Sequence, residues 1–418
     1  MESSVGNQDN VHIVRVKSRL TVNSTQLFLV ALILILFSFM VDSFSWSHNM
    51  ISFMRMLRDI CRALSIGFLL LNIALKIKHR SSHYLMAATI ILLLFLSYLN
   101  TGATLLLFTA IFTLTAIDVP YKKIVKTFFV MNIVWLMALI ALHSLSLTND
   151  VIRQFPYGIG RSLGMVHPNR LGSFLFAFLV SLWLVSKGRR RVVISLLAPL
   201  LALVTWNITV SRTALLMMIV FSIATFLLYL LEKIRSERLL KGIRFAIIFL
   251  FITTVTLTII PNDLVHRLDI IDVTFFSRFS HPALIFQEFG VGLFGGDIPL
   301  MGTVEAFELR QRGYQVRILI VDNAFLRLLV VDGIVALLIA LVAIFKITKR
   351  FILARRYDLL IIFALLATYG MMGLGFLAIH FNILWLVLYC SLGTEVQAHQ
   401  VVPEGKERKY ESRVMHPL

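Results

Sequence analysis

The sequence predicts an all-α polytopic membrane protein with about twelve transmembrane helices, and three observations carry that expectation. Of the 418 residues, 58% are hydrophobic, well above the roughly 45–50% of a soluble domain. Only 15% are charged and the mean hydropathy is +0.86, so the apolar side chains must face lipid and one another rather than one water-excluded centre. Finally, they fall into runs bounded by charges or turn residues, near 25–43, 60–76, 83–99, 102–118, 124–145, 169–186, 192–209, 213–231, 243–260, 322–345, 357–378 and 381–394.

The first run, LFLVALILILFSFMV, follows a polar head (1–24) and has no small-residue cleavage site behind it, so it is expected to be an uncleaved anchor. The transmembrane domain then occupies 25–394 and a polar tail 395–418. With both termini in the cytoplasm, the inner loops are 77–82, 119–123, 187–191, 232–242 and 346–356, and these inner sides hold 27 of the 40 basic residues. That distribution satisfies the positive-inside rule. It also accounts for the net charge of +18 without nucleic acid as a partner; the expected partner is the lipid bilayer. Two outer connections are long, 146–168 and 261–321, and the second mixes glycine, acids, arginines and apolar patches, which suits a partly helical loop folded over the outer mouth. Cys61 and Cys390 lie in apolar runs and read as inert buried thiols.

All thirteen lysines are on the inner side, and the thirteen basic residues left for the outer side are all arginines. A planar guanidinium grips phosphate or carboxylate oxygens two at a time and stays charged where water is scarce, whereas lysine is mainly a hydrated point charge. The outer face is therefore equipped for an anion; arginines that reach to headgroups or pair with outer acids are the alternative.

Several outer helix starts gather polar residues. The sixth span opens at HPNRLG, with His167 ahead of Pro168 and with Asn169 and Arg170 in the first turn, an end suited to an anion or simply a turn before a span. SRTALL opens the eighth, with Ser211 able to cap and Arg212 in the shortest outer loop. In the tenth, VDNAFLRLLVVDG puts Asp322 and Asn323 at the cap, Arg327 a turn in and Asp332 deeper; Asp322 as a mere cap and Asp332 paired to a neighbouring helix are the alternatives. Arg55, Arg58 and Arg62 share one helical face, able to meet a phosphate or lipid headgroups, and His380 reads as an isolated structural residue. No Walker loop, HExxH or CxxC occurs, so neither a nucleotide cofactor nor a metal is expected.

These stretches resemble the O-antigen and capsule polymerase (Wzy-type) and O-antigen ligase superfamily of membrane glycosyltransferases. The resemblance rests on RSLGMVHPNRLG (161–172), SRTALL (211–216), SRF (277–279), FGVGLFGG (289–296) and VDNAFLRLLVVDG (321–333), ordered around one large outer loop. The ligases usually carry histidine where this chain has Asp322 and Asn323, so the polymerases of capsule, exopolysaccharide and O-antigen are the nearer match. The resemblance implies a GT-C-like architecture and an outward-facing site in the cytoplasmic membrane. Its substrates would be polyprenyl-diphosphate-linked oligosaccharide repeat units, with room for a chain-length regulator as partner. No cofactor is implied, because a glycosyl diphosphate carries its own leaving group: cations must steady the diphosphate and one base must take the proton of the attacking hydroxyl. Arg170, Arg212 and Arg278 are assigned to the diphosphate and Asp322 or His167 to the base, with Asn169, Asn323, Arg161 and Arg327 as further substrate-binding candidates. En bloc ligation is the close alternative. A twelve-span flippase is the more distant one, because the chain lacks two comparable halves with midplane polar groups.

Overall fold

The computed structural model describes residues 23–77, 80–155, 157–231, 237–259, 280–296, 298 and 321–392. Nearly all of the head, the tail, Arg278 with its SRF motif, and most of the 261–321 loop lie outside the described residues. The rest is mostly helical. In order come α1 (Ser24–Val41), α2 (His48–Lys76), α3 (Ser81–Thr101), α4 (Leu105–Thr115) and α5 (Tyr121–Ser144), then the strands β1 (Ile152–Phe155) and β2 (Gly158–Arg161). There follow α6 (Pro168–Val185), α7 (Arg189–Thr209), α8 (Arg212–Leu231), α9 (Glu237–Ile259), α10 (Ser280–Phe289), α11 (Ala324–Val330), α12 (Ile334–Leu353) and α13 (Tyr357–Gly370), with 3-10 turns at Leu374–Leu377 and Ile383–Leu388. Among the described residues, six helices are long and apolar enough to cross a membrane: α1, α3, α5, α6, α7 and α8 up to Tyr229. The chain is an all-α membrane-embedded protein in its spanning part, as expected.

Local chemistry sets many of the boundaries. Asn23 Oδ1 accepts the Thr25 N–H at 3.0 Å and starts α1, α3 stops at Gly102, whose φ of 66° suits a residue without Cβ, and Pro120 and Pro168 fix the starts of α5 and α6. The core is apolar and aromatic, with Phe28, Phe112, Phe174, Phe325, Phe363 and Phe376 at 0% exposure.

Five runs differ from the hydropathy reading. The second helix begins at His48 rather than near 60, so Arg55, Arg58 and Arg62 lie inside it. The fourth is only the eleven-residue α4. The tenth is divided: α11 is a buried seven-residue helix, and α12 starts anew after Gly333, whose φ of 94° breaks the run. A Cβ at Gly333 would collide with the Gly295 backbone, so glycine is required there.

The eleventh and twelfth runs end differently too. Helix α13 stops at Gly370, and 371–392 is a mostly buried non-α segment rather than a spanning helix. Irregular backbone at membrane depth survives only where protein satisfies it, and here it does. Asn382 Nδ2 and Trp385 Nε1 donate to Phe376 O at 3.0 and 2.6 Å, Thr109 Oγ1 donates to Leu377 O at 2.7 Å, and the Arg350 guanidinium holds the Val387 and Cys390 carbonyls.

The short β1–β2 hairpin was not foreseen. It is antiparallel, with Ile152 opposite Arg161 and Phe155 opposite Gly158. Asp150 ties its base: Oδ2 accepts Arg161 Nε at 2.7 Å and Oδ1 accepts the Ser162 and Leu163 N–H groups at 3.0 and 2.9 Å. Burial works against the charged form of Asp150, but those bonds outweigh it and hold the carboxyl below its usual range.

Contacts sort the turns into two ends. At one, Lys76 Nζ bonds Ile117 O, the Tyr121 N–H bonds Ser391 O, Arg350 holds 387–390, and Arg191 and Arg356 pair with Asp358. At the other, the backbone of 43–47 pairs with 147–149 and 164–166, the hairpin packs on Thr209 and Val210, and Arg170 lies against Phe381. All described lysines sit toward the first end.

Candidate functional site

The second end holds every described member of the predicted site. His167 is the N-cap of α6, where its Nδ1 accepts the Asn169 N–H at 3.1 Å. Burial, then the charges of Arg153 and Arg170, push the His167 pKa down to about 4. The ring is therefore neutral at pH 7, with its Nδ1 lone pair engaged and the proton on Nε2, so it presents a donor. Asn169 and Arg170 follow on the first turn, both exposed, and Ser173 Oγ of the next turn meets the Tyr369 hydroxyl.

Arg212 begins α8 beside α6. A Cβ on Gly172 would sit 2.8 Å from Ala214 Cβ and 3.2 Å from Ser211 Cβ, so a residue without a side chain lets these two helix starts touch. The Arg212 guanidinium lies 3.5 Å from the Tyr157 ring centroid, and Tyr157 stacks on Trp206 and on Phe155, whose ring meets His167 edge-on at 6.4 Å. Stacking on an aromatic face holds a planar cation in place without drawing on its N–H groups. The hairpin is thus what links His167 to Arg212, through an aromatic relay.

The third element is the start of α11. Its cap is Asn323 alone, whose Oδ1 accepts the Phe325 and Leu326 N–H groups at 2.9 and 3.2 Å. Asp322, expected to share that cap, is instead exposed one residue outside it and acts electrostatically on Arg170, as Asp42 does. Asn323 is fully buried and its Nδ2 has no partner among the described residues, so the role these contacts give it is to start the helix. Arg327 is half-buried, with its charge acting on buried Asp332, whose carbonyl accepts Ser97 Oγ. Arg161 is spent on Asp150, outside this group. Arg278 lies outside the described residues.

Sequence reasoning did not foresee that Arg62 and His380 approach Arg170. Both line a cavity with it, together with Asp42 and Ser43. Arg62 had a signal in the arginine face of α2, but nothing in the sequence reveals that a buried non-α segment returns His380 to α1 and α6. Among the described residues, no group of three or more acidic, histidine or cysteine side chains could hold a metal.

Comparison with protein-family models, with curated proteins and with solved structures found no match to this chain. The geometry of the site itself therefore carries the functional argument.

Proposed function

We propose that this protein is a membrane glycosyltransferase that joins polyprenyl-diphosphate-linked oligosaccharide repeat units into a surface polysaccharide, outside the cytoplasmic membrane. The observation that carries the reading comes from three distant parts of the chain, at the end that holds no lysine among the described residues: the helix starts bearing Arg170 and Arg212 touch at Gly172, and the exposed carboxylate of Asp322 acts on Arg170. The resemblance of the HPNRLG, SRTALL and VDNAFLRLLVVDG stretches to the polymerases points the same way. Twelve passes, a GT-C-like arrangement and an outward-facing arginine end belong to the same proposal.

In this mechanism an acceptor hydroxyl attacks the anomeric carbon of the donor sugar, the bond from that carbon to the diphosphate oxygen breaks, and the polyprenyl diphosphate departs with the electron pair. Asp322 takes the hydroxyl proton. His167 suits that task poorly, since its available lone pair already receives the Asn169 N–H; its Nε2–H suits a donor to substrate oxygen. Arg170 and Arg212 steady the charge that grows on the diphosphate, and Asn169 is placed to orient it.

The test is purified protein given lipid-linked repeat units without ATP or an ion gradient. A ladder of lengthened glycans that disappears in Arg212→Ala, with the variant still in the membrane, is the expected result. En bloc transfer to an acceptor would mean a ligase, translocation without lengthening a carrier, and a normal ladder in the variant would remove Arg212 from the mechanism.

A further inference from the structure

Helices α1, α2 and α6 and the buried segment after α13 border a cavity of about 190 Å³. Its polar lining is Asp42 and Ser43 after α1, Arg62 of α2, Thr104 before α4, Arg170 of α6 and His380. The charges do not balance. Asp42 is the only carboxylate in that lining among the described residues, and it bonds both Arg62 and, at 3.0 Å, Arg58, which also holds Asp59. Arg62 Nε is buried with no hydrogen-bond partner among the described residues. Arg170 is in no ion pair among the described residues; its guanidinium lies 5.9 Å from the Phe381 ring.

His380 adds an independent sign. It is 3% exposed, its Nδ1 has no hydrogen-bond partner among the described residues, and it is packed between Phe39 and Phe381 with ring centroids at 4.4 and 4.3 Å. A buried imidazole held between rings and left without a partner is costly unless something meets it. Surplus guanidinium charge and unused donors around a small open cavity call for an anion. Donors arriving from three chain segments suit the four non-bridging oxygens of a diphosphate substituted at both ends, two on each phosphorus, better than the two of a single carboxylate.

We propose that this cavity is a phosphoryl-binding pocket, with Arg62 and Arg170 on two sides of the anion and His380 on a third, and that it receives the diphosphate of one of the two lipid-linked oligosaccharides. The choice of that carrier rests on the polymerase reading, in which donor and acceptor each bring a diphosphate and two places are needed. Arg170 lies between the two places: with Arg212 it attends one, and with Arg62 and His380 it borders the other.

The experiment titrates full-length protein in phosphatidylcholine nanodiscs with inorganic pyrophosphate. Wild type binds saturably, and Arg62→Gln and His380→Phe each weaken binding about tenfold or more, as expected for loss of one charge-assisted contact. Lys123→Gln, at the opposite end, binds as wild type does. The double variant Asp42→Asn with Arg62→Gln removes both members of the ion pair, and its equal weakening separates ligand loss from misfolding. Wild-type affinity in all of the Arg62 and His380 variants overturns the pocket. Polyprenyl diphosphate displacing pyrophosphate at lower concentration than phosphatidylglycerol supports the carrier; equal displacement assigns the pocket to headgroup phosphate and overturns it. Pyrophosphate binding through Arg62 and His380 in a protein that lengthens no glycan refutes the polymerase reading alone, whereas glycan growth with unchanged affinity in the variants refutes the pocket alone.

Discussion

Asp322 and His167 were interchangeable as base candidates in the sequence, and hydrogen bonding separates them. The Nδ1 lone pair of His167 caps α6, while Asp322 stands outside the cap that Asn323 makes. Asp322→Asn, which keeps size and removes the basic oxygen, is expected to cut glycan lengthening by about 10²-fold or more while lipid-linked substrate still binds; single-turnover assays with a separate binding measurement check this, and a loss of binding with an unchanged rate constant would contradict it. His167 carries a stability signature instead. Its folded pKa of about 4 lies below the unfolded value of about 6.5, so the unfolded chain takes up the proton first and stability drains away as pH falls through that window. His167→Asn keeps a capping side chain and removes the titration. The Tm advantage of wild type over this variant should therefore shrink between pH 6.5 and 4, and a pH-independent gap would show that His167 is not held neutral by the fold.

The elements set where those side chains can meet. Close approach of α6 and α8 depends on Gly172, and a side chain there must push Ala214 or Ser211 away. Gly172→Val is expected to cost about 1–3 kcal/mol by overpacking and to reduce lengthening by separating Arg170 from Arg212; adding Ala214→Gly should restore much of both. Thermal unfolding and the ladder assay read the two effects, and full activity in Gly172→Val would contradict the role given to this contact. Much at this scale was legible, because helix starts such as Pro168 and stops such as Gly102 have local causes. The divided tenth run and the non-α 371–392 segment were not. Their apolar composition is that of spans, and only distant partners such as Thr109 and Arg350 make irregular backbone acceptable there. The hairpin escaped for a similar reason: its four-residue strands owe their hold to Asp150, which reads as an ordinary loop acid.

For the whole molecule, the basic residues form two groups in space, one that mixes lysine with arginine and one in which the named residues are arginines alone. Lys76, Arg191, Arg350 and Arg356 gather at one end with 117–121 and 387–391, while Arg62, Arg170 and Arg212 belong to the other. The candidate site was legible as a set of motifs, since His167, Arg212 and Asp322 each sit where a run begins. Its interior was not, since Arg62 and His380 are 318 positions apart in the numbering and meet only through the folded segment after α13. Sidedness decides the proposed chemistry, because substrate assembled on a polyprenyl carrier for the exterior must reach the arginine end from outside. The direct measurement places single cysteines at 167, 212 and 322 in a chain whose Cys61 and Cys390 are replaced, and treats intact cells with a membrane-impermeant maleimide. Labelling at all three, with a cysteine at 349 protected until the cells are opened, is the predicted result; protection at the three and labelling at 349 would contradict an outward-facing site.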